Sequence, residues 1–224
     1  MVAALLIAGP AFMARAVAPV AGAVVGAWVV MALVANHSTV TSFSVMWVAM
    51  SIAMMVPTTL RPMMRAADGS ARRAWTFLVA FVSVWLAAGV PAFLIMNGIA
   101  WTPFWITLAW IAAGLYQLTP GMHRLVRSCG SVRFAGDPLS YGLRQGLRCV
   151  ASCAPVMLAV MVTAMSLPGF VLPLALLVGF TILLCWEKEP STSRQALMGV
   201  GMGMIVLAVL GVIVLGGGGA AHLH

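Results

Sequence analysis

Long apolar stretches alternate with short polar segments along most of this chain. A helix that crosses a membrane needs about 20 apolar residues, with a range of about 17 to 25. Seven segments fit that length, at residues 17–35, 43–60, 75–96, 102–118, 147–167, 170–186 and 195–215. The pattern predicts an all-α protein, a polytopic transmembrane helix bundle of about seven spans.

The same pattern divides the chain into a single transmembrane helical domain, residues 17–215, and two terminal segments. Residues 1–16 have a short apolar core but no basic residues before it, which a signal peptide would have. They are interpreted as an interfacial lead-in, and the sequence leaves open whether it is structured or cleaved. Residues 216–224 are predicted to form a glycine-rich outer tail.

Basic residues occur only in every second connection between the apolar segments. One face of the predicted bundle receives all twelve Lys and Arg residues, and the opposite face receives none. They are Arg15, Arg61, Arg65, Arg72, Arg73, Arg124, Arg127, Arg133, Arg144, Arg148, Lys188 and Arg194. Because short cytoplasmic loops are enriched in Lys and Arg, the N-terminus is predicted to lie inside. The simplest role of these residues is to fix topology and to contact anionic lipid.

The composition excludes several classes of function. With 63% hydrophobic and 7% charged residues, the chain is expected to have the lipid bilayer as its solvent. The net charge of +8 belongs to the loops, and no nucleic-acid partner is expected. The apolar segments contain no paired carboxylates and no Ser/His/Asp set, so an enzyme is not expected. Mutual pairing and solvation explain Glu187, Lys188 and Glu189 about as well as a function does.

A row of sulfur-containing side chains runs along the fifth apolar segment. Its members recur at every fourth position and are Cys149, Cys153, Met157, Met161 and Met165. On a helix each sulfur lies about one turn above the last and is rotated by roughly 40°. Pro155 cannot donate a backbone hydrogen bond to the carbonyl of Ala151, so a kink or a loosened turn is expected beside the cysteines.

The second apolar segment repeats this spacing with Met46, Met50 and Met54, and it also contains Pro57. The second and fifth segments are predicted to run in opposite directions. Counting residues from their ends places Met54 and Met55 at the depth of the two cysteines.

Thiolate and thioether groups are soft ligands suited to Cu(I), and zinc is the less favoured ion. The candidate metal ligands are Cys149, Cys153, Cys129, Met54, Met55 and Met157. Possible helpers are Met50, Met161, Cys185 and His123. The alternative that these methionines and cysteines are ordinary core residues stays open, because both residue types commonly pack in helix bundles.

Four segments resemble a bacterial family of predicted metal-binding integral membrane proteins with a domain of unknown function. The segments are MWVAMSIAMMVP (46–57), GLYQLTP (114–120), GLRQGLRCVASCAPVM (142–157) and EK (187–188). The resemblance implies a multi-pass protein of the bacterial cytoplasmic (inner) membrane, with a metal site built on cysteines. It implies Cys149, Cys153 and Cys129 as site residues. A further cysteine expected in the family is replaced near Leu125, which weakens a four-cysteine site.

Two functions are compatible with these observations. The first is a protein that binds Cu(I) for transport or for delivery to a partner subunit or metal-accepting protein. The second is a structural or assembly subunit of a larger membrane complex that holds no metal. In that second case, Gly142 and Gly146, together with Gly199, Gly201 and Gly203, would serve close helix contacts.

Overall fold

The computed structural model describes residues 13–33, 40–131, 136–167, 171–187 and 192–218. Within these residues the protein is all-α, as predicted, with nine helices and no strand. The helices are α1 Ala18–Leu33, α2 Val40–Thr58, α3 Leu60–Ala67, α4 Ala71–Gly98, α5 Pro103–Gln117, α6 Pro120–Ser131, α7 Pro138–Ser166, α8 Val171–Glu187 and α9 Arg194–Gly218. A π-helical turn, Met13–Val17, precedes α1. Most of the predicted lead-in, 1–12, and the end of the predicted tail, 219–224, lie outside the described residues.

Each predicted span corresponds to one helix, but the helices differ in length. Among the described residues, α2, α4 and α7 are long and apolar enough to cross a membrane. The helix α5 has 15 residues, about 22 Å, which is shorter than the roughly 30 Å hydrocarbon core. Three further apolar helical segments are shorter, at 10–17 residues: Arg15–Met31 at α1, Val171–Glu187 at α8 and Arg194–Val209 at α9. The count of seven spans therefore stays a prediction.

The longest helix, α7, is the centre of the bundle. It contacts α3, α4, α5, α6 and α8. It begins at Pro138, nine residues before the predicted start at 147, so that boundary was wrong. Arg144 and Arg148 lower the hydropathy there, but arginine is a good helix former. Asp137 caps the helix, since its carboxylate accepts a hydrogen bond from the Ser140 backbone N–H at 3.0 Å.

Two glycines of α7 allow its close approach to α4. A Cβ at Gly142 would lie 2.5 Å from the carbonyl oxygen of Phe77, and one at Gly146 would lie 2.8 Å from the Cβ of Val84. The backbones of α4 and α7 are therefore in contact where only glycine fits. Gly142 and Gly146 thus serve a contact between two helices of this chain.

The helices α5 and α9 form a second close pair. A Cβ at Gly201 would lie 2.9 Å from the carbonyl oxygen of Gly114. Gly199 and Gly203, on the same helix, have no atom within 4 Å of an added Cβ. Gly201 is therefore also used within the chain.

The helices α2 and α7 are arranged diagonally, because each of them packs against both α4 and α8. Buried side chains of all four helices belong to one continuous core. The helix α1 covers α2 from the outside, and α5 covers α7. This four-helix core is the interior in which the candidate ligands lie.

The described arginines cluster at one end of the bundle, called the basic end. It is formed by α3, α6 and the first turns of α4, α7 and α9, which carry most of the described Arg residues. The segment after residue 118 forms the helix α6, and Gly136 has a φ of 121° before α7 begins. One face of α6 is buried rather than exposed, because Met122, Val126 and Cys129 pack inward.

Candidate metal site

Most of the predicted sulfur ligands lie in a single buried core. The members are Cys149, Cys153, Met157 and Met161 of α7 and Met50, Met54 and Met55 of α2. All seven side chains are buried, and four of the candidate ligands, Cys149, Cys153, Met54 and Met55, are at most 1% exposed. The protein thus encloses two thiols and several thioethers away from solvent.

The two sulfur-bearing helices carry their sulfur side chains at matching depths. Phe43, in the first turn of α2, lines the same cavity as Val162, near the end of α7. Met54 lies eleven residues below Phe43, about 16 Å along the helix, and Cys153 lies nine residues below Val162, about 14 Å. Cys149 is one turn further down. The methionines of α2 and the cysteines of α7 therefore lie at the same level of the bundle.

The second helix changes its geometry at the methionines. Residues Ser51–Met55 form a π-helical turn inside α2. Pro57 lacks the N–H that would bond to the carbonyl of Ala53, so the regular hydrogen-bond pattern cannot continue here. Such wide turns are frequent at functional sites. The Ser51 hydroxyl, buried in this turn, has no hydrogen-bond partner among the described residues.

Trp47 fixes the position of α2 against α4. Its indole N–H donates a hydrogen bond to the Trp85 carbonyl oxygen at 2.7 Å. The ring fills the space beside Gly89, where a Cβ would lie 2.7 Å from the indole. Trp47 is one turn from Met50 and Ser51, so this contact also sets the position of the π turn.

The helix α7 continues through Pro155, the residue at which a kink or a loosened turn is expected. The carbonyl of Ala151, which Pro155 leaves without its usual donor, accepts a hydrogen bond from the Tyr116 hydroxyl at 2.8 Å. The helix α5 therefore supplies the missing donor. The sequence does not show which side chain reaches that carbonyl.

Ser152 is a residue of the site that the sequence analysis missed. Its hydroxyl donates to the carbonyl oxygen of Cys149 at 3.0 Å and lies 3.4 Å from the sulfur of Cys153. In the second contact either atom could be the donor. A serine that bonds the carbonyl three residues earlier is common in helices. The only signal for Ser152 in the sequence is its position next to Cys153, a candidate ligand.

The remaining predicted ligands are not part of this core. Cys129 and His123 are buried on α6, and Cys185 is partly buried on α8, outside the cluster of buried core residues. The carbonyl oxygen of Cys129 accepts a hydrogen bond from Gln145 at 3.2 Å, which attaches α6 to α7 one turn before Cys149. Neither ring nitrogen of His123 has a hydrogen-bond partner among the described residues.

Thioethers are needed to complete a metal site here. In the described part of the chain, no group of three or more His, Cys, Asp or Glu side chains could hold a metal ion. Zinc sites in proteins normally use four ligands of those types or three with a water. The donor set of two thiols and several thioethers instead fits Cu(I).

Glu187 is buried, whereas solvation was one explanation offered for it from the sequence. It is buried at 3% exposure, and the side-chain amide of Gln117 donates to its carboxylate at 3.4 Å. Solvation therefore does not explain this residue, which contacts Gln117 at the end of α5. Its predicted neighbours Lys188 and Glu189 lie outside the described residues.

A family model described as a copper chaperone, PpoB2, matches residues 44–212. The chain belongs to the PpoB2 copper chaperone family. The match covers most of the chain and includes every candidate ligand, from Met50 to Cys185. It agrees with the metal-related part of the resemblance seen in the sequence and specifies copper. No curated protein and no solved structure matches the chain.

Proposed function

We propose that this protein is an integral membrane copper chaperone that binds Cu(I) between α2 and α7 and passes it to a metal-accepting partner. The ligands are Cys149 and Cys153 together with thioethers of Met50, Met54 or Met157. The observation that carries the proposal is that a member of a copper chaperone family buries two thiols and several thioethers in one core. Cys129, Cys185 and His123 lie outside the core and are not assigned to this site.

The softness of the donors favours copper in its reduced form. Thiolate and thioether sulfurs are the ligands suited to Cu(I). In the described part of the chain no group of three or more His, Cys, Asp or Glu side chains offers a harder set of ligands.

The protein is proposed to be a multi-pass protein of the bacterial inner membrane, with its basic end in the cytoplasm. Three helices long enough to span, together with Lys and Arg confined to one face, support this orientation. Delivery of an ion requires no bond to be made or broken in a substrate, so no enzymatic activity is assigned.

The decisive experiment measures copper in the purified protein by elemental analysis. The protein is loaded with Cu(I) without oxygen, in detergent, beside the Cys149→Ser/Cys153→Ser double variant. The expected result is near-stoichiometric copper in the wild type and loss of that copper in the double variant. Cys185→Ser is the control and should keep its copper, because Cys185 lies outside the core.

Gel filtration and circular dichroism establish that the double variant is folded. Copper that persists in a folded double variant, or a wild type that binds none, would refute the proposed site.

The alternative role as a structural subunit has less support. It depended on glycine faces for contact with a partner, but Gly142, Gly146 and Gly201 contact other helices of the same chain. Gly201→Leu is therefore expected to disturb the α5–α9 pair and would not report on a partner. Gly203→Leu is the better test, because nothing lies within 4 Å of an added Cβ there.

A further inference from the structure

The sulfur row of α7 changes from sealed to exposed along its length. The exposed fractions of Cys149, Cys153, Met157, Met161 and Met165 are 0%, 1%, 2%, 5% and 42%. The exposed member lies at the end of α7 opposite the basic end. The row therefore leads from the proposed copper core to one mouth of the bundle.

A cavity of about 250 Å³ lies at this mouth and is called the mouth cavity. It is bordered by Phe43, Met96, Asn97, Trp101, Met165 and Ser166. It brings the thioether of Met96, on α4, to the same space as the thioether of Met165, on α7. The sequence alone does not connect Met96 or Trp101 with Met165, because they are 64 and more residues away from it in the chain.

Hydrogen bonds hold the polar residues of the mouth cavity in place. The indole N–H of Trp101 donates to the Met96 carbonyl oxygen at 3.1 Å. The Asn97 amide donates to the Phe93 carbonyl oxygen at 3.0 Å. Trp101 therefore stays beside Met96 at the end of α4.

These side chains are suited to a soft monovalent cation. Thioethers bind Cu(I), and a tryptophan ring attracts a cation that lies within about 6 Å of its centre. The described residues that line the cavity carry no negative charge, so binding by them is weaker than binding by the thiolates of the core. A site that must release its ion needs that weakness.

We propose that the mouth cavity is a Cu(I) exchange site, in which Met96, Met165 and Trp101 hold the ion as it enters or leaves the core. This proposal rests on the copper function proposed above. A second cavity, of about 390 Å³, is lined by Met157 and Met161 and lies next along the row. Successive thioethers are about 6 Å apart along the helix. Transfer is thus a ligand exchange in which one Cu–S bond forms as another breaks and the ion keeps its charge.

The first test measures the rate at which copper leaves the protein. Wild-type protein loaded with one Cu(I) in detergent is mixed with the Cu(I) chelator bathocuproine disulfonate, and the coloured complex is followed over time. In Met96→Leu/Met165→Leu, which keeps side-chain volume but removes both thioethers, release is expected to slow by about tenfold or more. The amount of copper bound at the start should not change.

The control for this test is Met198→Leu/Met202→Leu. These two methionines are exposed on α9 to a similar degree, at 40% and 52%, but do not line the mouth cavity. Release from this variant should match the wild type. Equal release rates in wild type and Met96→Leu/Met165→Leu would overturn the exchange site.

The second test separates the mouth cavity from the core. In the Cys149→Ser/Cys153→Ser background, Cu(I) is titrated and tryptophan fluorescence is recorded, with Trp101→Phe in the same background as the reference. Weak saturable quenching that depends on Trp101 is expected, and Met96→Leu/Met165→Leu should abolish it. Quenching that does not respond to those substitutions would overturn the proposal.

The two tests also show which proposal has failed. If the wild type binds no copper that depends on the cysteines, the core assignment fails, while the titration still decides the mouth cavity. If the core binds copper and the titration shows no Met-dependent quenching, only the exchange site is wrong.

Discussion

The proposed copper core and the mouth cavity lie along the same helix, α7, and differ in their exposure to solvent. In the core, thiols and thioethers are sealed between four helices. At the mouth, the donors are uncharged and Met165 is largely accessible. Tight binding requires charged ligands and exclusion of water, whereas release requires neutral ligands and access. Under the proposed function, the difference in burial separates retention of the ion from its exchange along α7.

The largest effect is expected from disrupting the close contact between α4 and α7. Gly142→Ala/Gly146→Ala adds two Cβ atoms that would contact α4 at 2.5 and 2.8 Å. Overpacking of this kind costs about 1 to 3 kcal/mol per site, so the thermal unfolding temperature in detergent should fall strongly.

The matched control for that change is Gly179→Ala on α8, where an added Cβ meets nothing within 4 Å. Alanine is the better helix former by about 1 kcal/mol, so this variant should be unchanged or more stable. Similar unfolding temperatures for the double variant and the wild type would contradict the close α4–α7 contact.

A smaller effect is expected from Ser152→Ala. When Cys153 loses its proton to bind Cu(I), the sulfur becomes an acceptor, and the Ser152 hydroxyl, 3.4 Å away, can donate to it. Loss of such a supporting contact weakens metal affinity by about 10- to 100-fold. A competition titration against a Cu(I) chelator measures this change.

Ser83→Ala is the control for Ser152, because Ser83 makes the same kind of bond to a backbone carbonyl, at 2.8 Å, without a neighbouring cysteine. It should leave copper affinity unaltered. An equal loss in both variants would mean that Ser152 acts only through helix stability.

Tyr116→Phe is expected to have a modest effect on the stability of α7 beside the core. It removes the donor to the Ala151 carbonyl, which Pro155 already deprives of its usual partner. A lost hydrogen bond costs about 0.5 to 1.5 kcal/mol, so the unfolding temperature should fall slightly. Loosening beside Cys149 and Cys153 should also speed release of copper to the chelator. Unchanged release would show that α7 holds its shape without α5.

The smallest effect concerns Asp137, far from both regions. The Ser140 backbone N–H donates to its carboxylate and holds its pKa below the usual value of 3.8. A group with a lowered pKa in the folded state stabilises the fold above the unfolded pKa, and this contribution is lost as pH falls through the folded pKa. Asp137→Asn should therefore narrow the difference in unfolding temperature between pH 6 and about pH 3. A pH profile identical to that of the wild type would exclude a role for the charge.

The sequence predicted the architecture better than the details of the site. Apolar segments and their spacing were enough for the helices and for the shared depth of Met54 and Cys149, since depth follows from counting residues. The start of α7 was missed because hydropathy falls at its arginines while the helix continues. The partners of Ser152 and of the Ala151 carbonyl depend on contacts between distant segments, and no local pattern encodes them.

The contact between the Trp47 indole and Gly89 fixes the register in which α2 packs against α4. The helix α2 can pack against α4 only where an aromatic ring meets a residue without a side chain. A slip of one residue would rotate every side chain of α2 by about 100° and turn Met54 away from α7. Gly89 of α4 thus fixes the register of α2, which carries ligands of the proposed metal site. A single methyl group at Gly89 would shift those ligands although Gly89 does not contact them.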